Sequence, residues 1–255
     1  MTLTGKTALV TGAGTGIGQG VAIELARRGA KVAVHYNQSA AGALATKQAI
    51  EAAGGEAFVV QADVAAKADI DRMTEQVAER YGTIDILVNN AALQLNYDFF
   101  QYDDLSYDRM MAINVKGYWQ CIQAVVPYMK KNRYGRIVNI SSVHAKRPTD
   151  FDPVYAMTKG AIRMLGREAA IELAPYGITV NTIEPGAVDV GKGPKPDRLS
   201  PEEREARERR LRIKFRAGRV GKPYDVARLA CFIAEEENGY LNGAAIRLDG
   251  GSMHL

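Results

Sequence analysis

The sequence predicts an α/β fold: a doubly wound, mainly parallel seven-stranded sheet with helices on both faces. Three observations predict it. Short apolar runs and segments of helical period alternate along the whole chain. The apolar runs show little polar–apolar alternation, as expected of strands covered on both sides. Strand–helix units repeated in this way, joined by right-handed crossovers, wind into such a sheet.

The elements follow in order. Lys6–Thr11 is an apolar run that ends at a glycine cluster, and Gly16–Arg28 carries Ile17, Val21 and Leu25 at helical spacing before stopping at Gly29. Lys31–Tyr36 reads as the second strand, followed by a helix from about Ala40 to Ala53 that ends at Gly54-Gly55. Glu56–Gln61 is the third strand, Ala68–Tyr81 a helix stopped by Gly82, and Asp85–Val88 the fourth strand. A long helix is predicted over about Tyr107–Lys131, then a fifth strand at Arg136–Ile140. The helix Tyr155–Ala174 precedes the sixth strand, Thr179–Ile183. The helix Pro223–Glu235 precedes the seventh, Ala245–Leu248. Only the polar stretch Gly186–Gly221 breaks the rhythm, and long insertions of this kind are often lids over a site.

Bulk properties narrow the function classes. A chain of 255 residues with 47% apolar residues buries enough surface to need no metal or disulfide, and 1–255 reads as one domain. Cys121 and Cys231 lack CxxC spacing and read as reduced structural residues. The opening MTLTGKTALV has no long apolar core, so no signal peptide is expected, and no run is long enough for a membrane span. A cytoplasmic location is the expectation. The formal charge of +4 is uneven: residues 192–219 hold eleven Lys/Arg against five Asp/Glu. A phosphate track for nucleic acid is one reading of that stretch. With Phe215 as its single aromatic, a charged, solvated helix with Glu/Arg pairs is the better one, and no nucleic-acid partner is expected.

The chemistry-bearing residues lie at the ends of the strands. The first strand–helix turn reads Thr11-Gly12-Ala13-Gly14-Thr15-Gly16-Ile17-Gly18, a TGxxxGxG pattern. Its glycines allow close approach of a pyrophosphate to the N–H groups and positive dipole end of the following helix. Tyr155 and Lys159 stand four residues apart and share one helix face, with Ser142 thirteen residues before the tyrosine. An ammonium beside a phenol favours the phenolate, so with Lys159 and a cationic nicotinamide nearby the Tyr155 pKa is expected to fall by two or three units from about 10, towards general acid–base use. A surface Tyr–Lys pair on an amphipathic helix is the alternative.

TGAGTGIG, Asp63, Asn89-Asn90-Ala91, Asn114, Ser142, Tyr155-Ala-Met-Thr-Lys159, Pro185-Gly186 and the ending Leu248-Asp-Gly-Gly251 occur in the order and spacing of one family. Over essentially its whole length the chain resembles the short-chain dehydrogenase/reductases. That resemblance implies a Rossmann-type dinucleotide-binding catalytic domain with a substrate lid at about 186–221. It implies that Ser142 hydrogen-bonds the substrate oxygen and Tyr155 exchanges the proton. It gives Lys159 the tasks of tuning the phenol and binding the nicotinamide ribose, and Asn114 that of holding a water that links Lys159 to solvent. Cofactor contacts are implied for Gly12, Thr15, Gly16, Ile17, Gly18, Tyr36, Asn37, Asp63, Val64, Asn89, Ala91, Tyr155, Lys159, Pro185, Gly186 and Val188. Asp63 would meet the adenine, Asn89 and Ala91 the adenosine side, and the 185–188 stretch the carboxamide. Dimers or tetramers built on the two long helices are common in the family, and a homotetramer is the expectation. Structural readings stand beside these: Asp63 as a helix cap, Asn89-Asn90 as a turn, Asn114 satisfying buried backbone, Ser142 as a turn residue. Two departures are visible, Ala92 where the family has glycine after Asn-Asn-Ala, and no threonine soon after Pro185-Gly186.

The second strand ends His35-Tyr36-Asn37-Gln38-Ser39, without the carboxylate that would bind the ribose hydroxyls of NAD and repel a 2′-phosphate. NADP is favoured over NAD, with Asn37 and Ser39 as donors. For substrate, Gln94, Ser142, His144 and Glu184 suggest polar groups converging on a sugar or polyol. The basic 192–219 stretch suggests an anion instead, and a 3-oxoacyl thioester on an acyl carrier is the alternative. A non-catalytic NAD(P)-sensing regulator is the competing class, which an unaffected Tyr155→Phe variant would support.

Overall fold

The structure, a computed structural model, describes residues 1–148, 152–191 and 200–252. Among these, seven strands form one sheet: β1 (Thr7–Val10), β2 (Lys31–Tyr36), β3 (Ala57–Gln61), β4 (Ile86–Asn89), β5 (Gly135–Ile140), β6 (Ile178–Pro185) and β7 (Ala245–Leu248). Their order is β3-β2-β1-β4-β5-β6-β7 and every pairing is parallel. The order reverses between β1 and β4. In open α/β sheets such a switch point opens a crevice at the carboxyl ends of the strands.

The helices are α1 (Gly16–Arg27), α2 (Ala40–Ala52), α3 (Lys67–Tyr81), α4 (Asp104–Met111), α5 (Gly117–Asn132), α6 (Pro153–Leu173), α7 (Pro201–Lys214) and α8 (Pro223–Ala234). Successive strand residues feed opposite layers. Ala8, Val10, Ile86 and Val88 pack with Val21 and Leu25 of α1 and Val226 and Ala230 of α8. Leu9 and Leu87 pack with Met73 and Val77 of α3, Val125 of α5 and Leu173 of α6. Each such side chain, taken fully out of water, contributes about 1.5–3 kcal/mol before chain entropy is counted. The two layers clamp the sheet, so the strand ends form a rigid platform.

Two regions differ from the sequence expectation. The long helix starts earlier than Tyr107, because the Asp103 carboxylate accepts the Ser106 amide at 2.8 Å while the Ser106 hydroxyl accepts the Asp103 amide at 3.1 Å. It is also interrupted: Ala112–Lys116 form a π turn between α4 and α5. In the polar 186–221 stretch, α7 is an exposed helix begun by a Ser200–Glu203 capping box with Pro201 in its first turn. Its Arg209–Glu205 pair at 3.2 Å fits the solvated-helix reading. The stretch is pinned at its foot, where Asp189 donates to the Gly221 carbonyl at 2.8 Å and Gly221 to Ala187 at 2.9 Å. Residues 192–199, part of the expected lid, lie outside the described residues. Cys121 and Cys231 are buried free thiols. Among the described residues, no helix is long and apolar enough to cross a membrane, and no group of His, Cys, Asp and Glu is arranged to hold a metal.

Candidate active site

The turn between β1 and α1 is shaped by contacts that admit no side chain. Gly12 has φ +64°, and a Cβ on Gly18 would lie 2.3 Å from the Gly12 carbonyl oxygen. The Gly12 amide donates to Nδ1 of buried His35 at 2.9 Å, and Nε2 of that ring donates to the Ala62 carbonyl at 3.0 Å. This fixes the tautomer, and burial lowers the imidazole pKa, so the ring is neutral. Asn90 braces the turn: its Nδ2 donates to Thr11 and Gly12 carbonyls at 2.9 and 3.2 Å. Thr11 accepts the Asn90 and Ala91 amides on its hydroxyl at 2.9 and 3.1 Å. Thr15 caps α1 without a side-chain bond, and no acidic residue stands in the first turn. Gly16, Ile17 and Gly18 therefore begin a helix whose free amides suit a pyrophosphate. These residues fit a dinucleotide.

The adenosine side is arranged differently from expectation at two residues. The Asn89 side chain is buried and donates to Asn139 at 3.0 Å, which leaves its backbone as the part a cofactor could meet. The Asp63 carboxylate accepts from Arg109 of α4 at 2.7 Å and from the Ala65 amide at 3.0 Å. Burial opposes its ionisation, but these donors outweigh it and hold the pKa below the usual carboxylate range. An adenine contact at Asp63 must share that carboxylate with Arg109, a residue that local sequence gave no reason to single out. Val64 is buried, and Tyr36 and Asn37 are half-buried at the end of β2. Pro185 ends β6, the Gly186 amide donates to Leu248 at 3.0 Å, and Val188 bridges to Gly221. A Cβ on Gly186 would lie 2.8 Å from Asp249 Cβ, and one on Gly16 would lie 3.1 Å from Val190, so both turns are closely covered.

Ser142, Tyr155 and Lys159 come together between β5 and α6. Asp152 and Pro153 start α6, which carries Tyr155 in its first turn and Lys159 one turn on. The Ser142 hydroxyl accepts the His144 amide at 3.2 Å and lies close enough to the Tyr155 phenol to favour its ionised form. Lys159 is almost fully buried, its Nζ 5.2 Å from the centre of the Tyr155 ring and donating to the Ile140 carbonyl at 3.0 Å. Tyr118 donates its hydroxyl to the same carbonyl at 3.1 Å. The fall expected for Tyr155 is tied to a bound nicotinamide, and without one the phenol is shifted the other way. Burial pushes the phenol up to about 12, the Asp152 charge adds to that, and the Ser142 hydroxyl opposes it. Burial also pulls Lys159 down to about 7, so the amine no longer carries a full charge with which to stabilise a phenolate.

That depression has a sign for stability. A lysine held below its ordinary 10.5 contributes fully above that value, and the contribution is lost as pH falls towards about 7. The ligand-free protein is expected to gain Tm between about pH 7 and pH 9, and Lys159→Met to flatten the rise. Thermal unfolding across that range checks this, and an unchanged slope in the variant would refute it.

Three further expectations need correction. Asn114, in the π turn, is fully buried, and its side chain is already engaged. Its Nδ2 donates to the Leu93 carbonyl at 2.9 Å and to Thr158 at 3.1 Å, and its Oδ1 accepts the Leu93 amide at 2.7 Å. No side-chain N–H is left to orient a water. Glu184 does not reach the cleft: it is fully buried between Lys146 and Arg163, each at 3.5 Å. The His144 ring turns to the Arg147 carbonyl at 3.2 Å. Gln94 is exposed on the segment after β4. Beside that segment lies an open depression of about 660 Å³, lined in part by Leu93, Leu95, Tyr97 and Arg109; Tyr155 is not in its wall.

Residues 12–253 match the family model described as "Enoyl-(Acyl carrier protein) reductase". The 3-oxoacyl-(acyl-carrier-protein) reductase FabG of Staphylococcus aureus strain Mu50 is 35% identical over 246 residues, 96% of this chain and 97% of that protein. Glucose 1-dehydrogenase 2 of Bacillus subtilis strain 168 is 33% identical over 254 residues, 98% of this chain and 95% of the relative. Among solved structures, a putative short-chain alcohol dehydrogenase from Sinorhizobium meliloti 1021 superposes with a TM-score of 0.89 at 32% identity, covering 99% of this chain and 98% of the other.

Proposed function

The chain belongs to the short-chain dehydrogenase/reductase family of oxidoreductases acting on hydroxyl and carbonyl groups, and we propose that it reduces a ketone to a secondary alcohol with NADPH. The observation that carries this reading is the Ser142–Tyr155–Lys159 cluster, with Ser142 and Lys159 buried and Tyr155 part-buried, on the same sheet as the Gly12–Gly18 turn. Ser142 holds the substrate oxygen. Tyr155, with its pKa raised to about 12, keeps its proton at neutral pH and is poised to give it to the oxygen as negative charge develops there. Lys159, near 7, replaces that proton with little cost in either direction. When bound, the dinucleotide supplies the hydride. The polar Asn37-Gln38-Ser39 turn, with no carboxylate to repel a 2′-phosphate, supports NADP over NAD.

The substrate reading changes. The sugar or polyol expectation rested on Gln94, Ser142, His144 and Glu184, and of these Glu184 pairs with Lys146 and Arg163 while His144 turns one ring nitrogen to Arg147. We rank a 3-oxoacyl thioester first, as the Staphylococcus aureus relative's name supports. A sugar or polyol is second, supported by exposed Gln94 and by the Bacillus subtilis relative. We also read residues 186–221 as a lid over the cleft, and α5 and α6 as the faces of a homo-oligomer. Trp119, Met157, Met164 and Ile171, all exposed on those two helices, support the second of these readings.

The test is a panel of acetoacetyl-coenzyme A, cyclic ketones, sugars and polyols, each scored with NADP(H) and NAD(H). Thioester reduction at least about tenfold faster with NADPH than with NADH is expected. Sugar oxidation with no thioester reduction would reverse the ranking, and no turnover with any partner would sink the proposal.

A further inference from the structure

Asp152 carries a carboxylate that is completely buried at the start of α6, three residues before Tyr155. A charge is tolerated out of water only when donors surround it. Among the described residues, three converge here. Oδ1 accepts the Tyr155 amide at 3.1 Å and the Tyr102 hydroxyl at 2.5 Å, and Oδ2 accepts the Asn96 amide at 3.2 Å. The first bond caps the helix, a task that serine, threonine or asparagine performs equally well. The other two have a different origin. They come from residues 93–103, the irregular segment after β4, where Phe99 and Phe100 are exposed.

The segment is shaped to deliver them. Asn96 has φ 57°, one of two non-glycine residues in the left-handed region among those described, and this turns its amide to the carboxylate. Tyr97 packs edge-on against Tyr102 with ring centres 5.4 Å apart. At the near end, Asn114 holds both the amide and the carbonyl of Leu93. Between these anchors the segment runs past the first turn of α6, beside Tyr155.

We propose that Asp152 and Tyr102 are positioning residues, a buried latch that fixes the segment after β4 against the first turn of α6 and so sets one wall of the substrate entrance relative to the Tyr155 phenol. The inference rests on the reading of Tyr155 as proton donor. A ketone held between that wall and the phenol loses orientation when the latch opens, while the dinucleotide turn, on the other side of the switch point, is untouched.

The experiment uses the full chain with Tyr102→Phe, Asp152→Ser and the double variant. Serine retains the helix cap, so Asp152→Ser removes the latch without removing the start of α6. Hydrogen-exchange mass spectrometry of the ligand-free protein is expected to show exchange across residues 93–103 accelerated about tenfold in Tyr102→Phe and at least as much in Asp152→Ser, which also loses the Asn96 bond, with the double variant no faster than Asp152→Ser because the Tyr102 bond is already gone there. With acetoacetyl-coenzyme A and NADPH, Tyr102→Phe is expected to raise KM for the thioester about tenfold, leaving KM for NADPH and kcat within about twofold. Unchanged exchange over residues 93–103 in Tyr102→Phe overturns the latch. A fall in kcat at unchanged thioester KM overturns its part in shaping the entrance. If the wild type reduces no carbonyl compound, the proposed function fails, and the exchange data still decide whether the latch exists.

Discussion

Tyr155→Phe is expected to lower kcat by about 10²–10⁴ while the Kd for NADPH changes little. The phenylalanine keeps the ring that lies against Lys159 and removes only the hydroxyl. Nothing else in the cluster can take over the proton. The Ser142 hydroxyl is a weaker acid than a phenol. The Lys159 amine is below the ring, donating to the Ile140 carbonyl. Binding at the Gly12–Gly18 turn is remote from the change, so the loss falls on the chemical step. Stopped-flow oxidation of NADPH with a saturating ketone measures it. A variant that retains more than about a tenth of wild-type turnover would remove Tyr155 from the reaction.

The second large effect is expected at Gly18→Ala. The added Cβ would stand 2.3 Å from the Gly12 carbonyl oxygen and 2.5 Å from Asn90 Nδ2. Neither neighbour yields easily. Gly12 is bound to the His35 ring, and Asn90 is tied to two carbonyls of the same turn. The turn must therefore open, at about 1–3 kcal/mol of overpacking strain. The amides at the start of α1 move with it. Affinity for NADPH is expected to weaken about 100-fold or more, equivalent to about 2.7 kcal/mol, with a lower Tm in the ligand-free protein. Fluorescence titration and thermal unfolding report the two quantities separately. A Kd within about threefold of wild type would mean that the pyrophosphate does not use this turn.

Both predictions start from residues that were legible in the sequence. The TGxxxGxG turn, the seven strands and the Tyr155–Lys159 spacing are local patterns, and local patterns survive folding. What was not legible depends on direction and depth. Of two adjacent asparagines at the end of β4, alternation sends Asn89 into the core and Asn90 to the glycine turn, a choice that one residue of register decides. Glu184 reads as a cleft residue because it precedes Pro185-Gly186, yet strand geometry aims it at Lys146 and Arg163. The upward shift of Tyr155 without cofactor was not legible for a similar reason. Spacing says that a lysine is near. The burial that neutralises the lysine comes from Tyr118 and Ile140, on other elements. Tyr102 and Asp152 lie fifty residues apart and share no sequence signature.

The π turn at Ala112–Lys116 constrains how this gene product can vary in length. A helix advances about 100° per residue, so removing one residue there would restore continuous α geometry and swing everything upstream around the axis by that angle. Arg109 would leave Asp63, and Asn114 would leave Leu93 and Thr158. Surface connections elsewhere can gain or lose residues at small cost. This stretch cannot, and a one-residue deletion in it should damage the protein more than most single substitutions do.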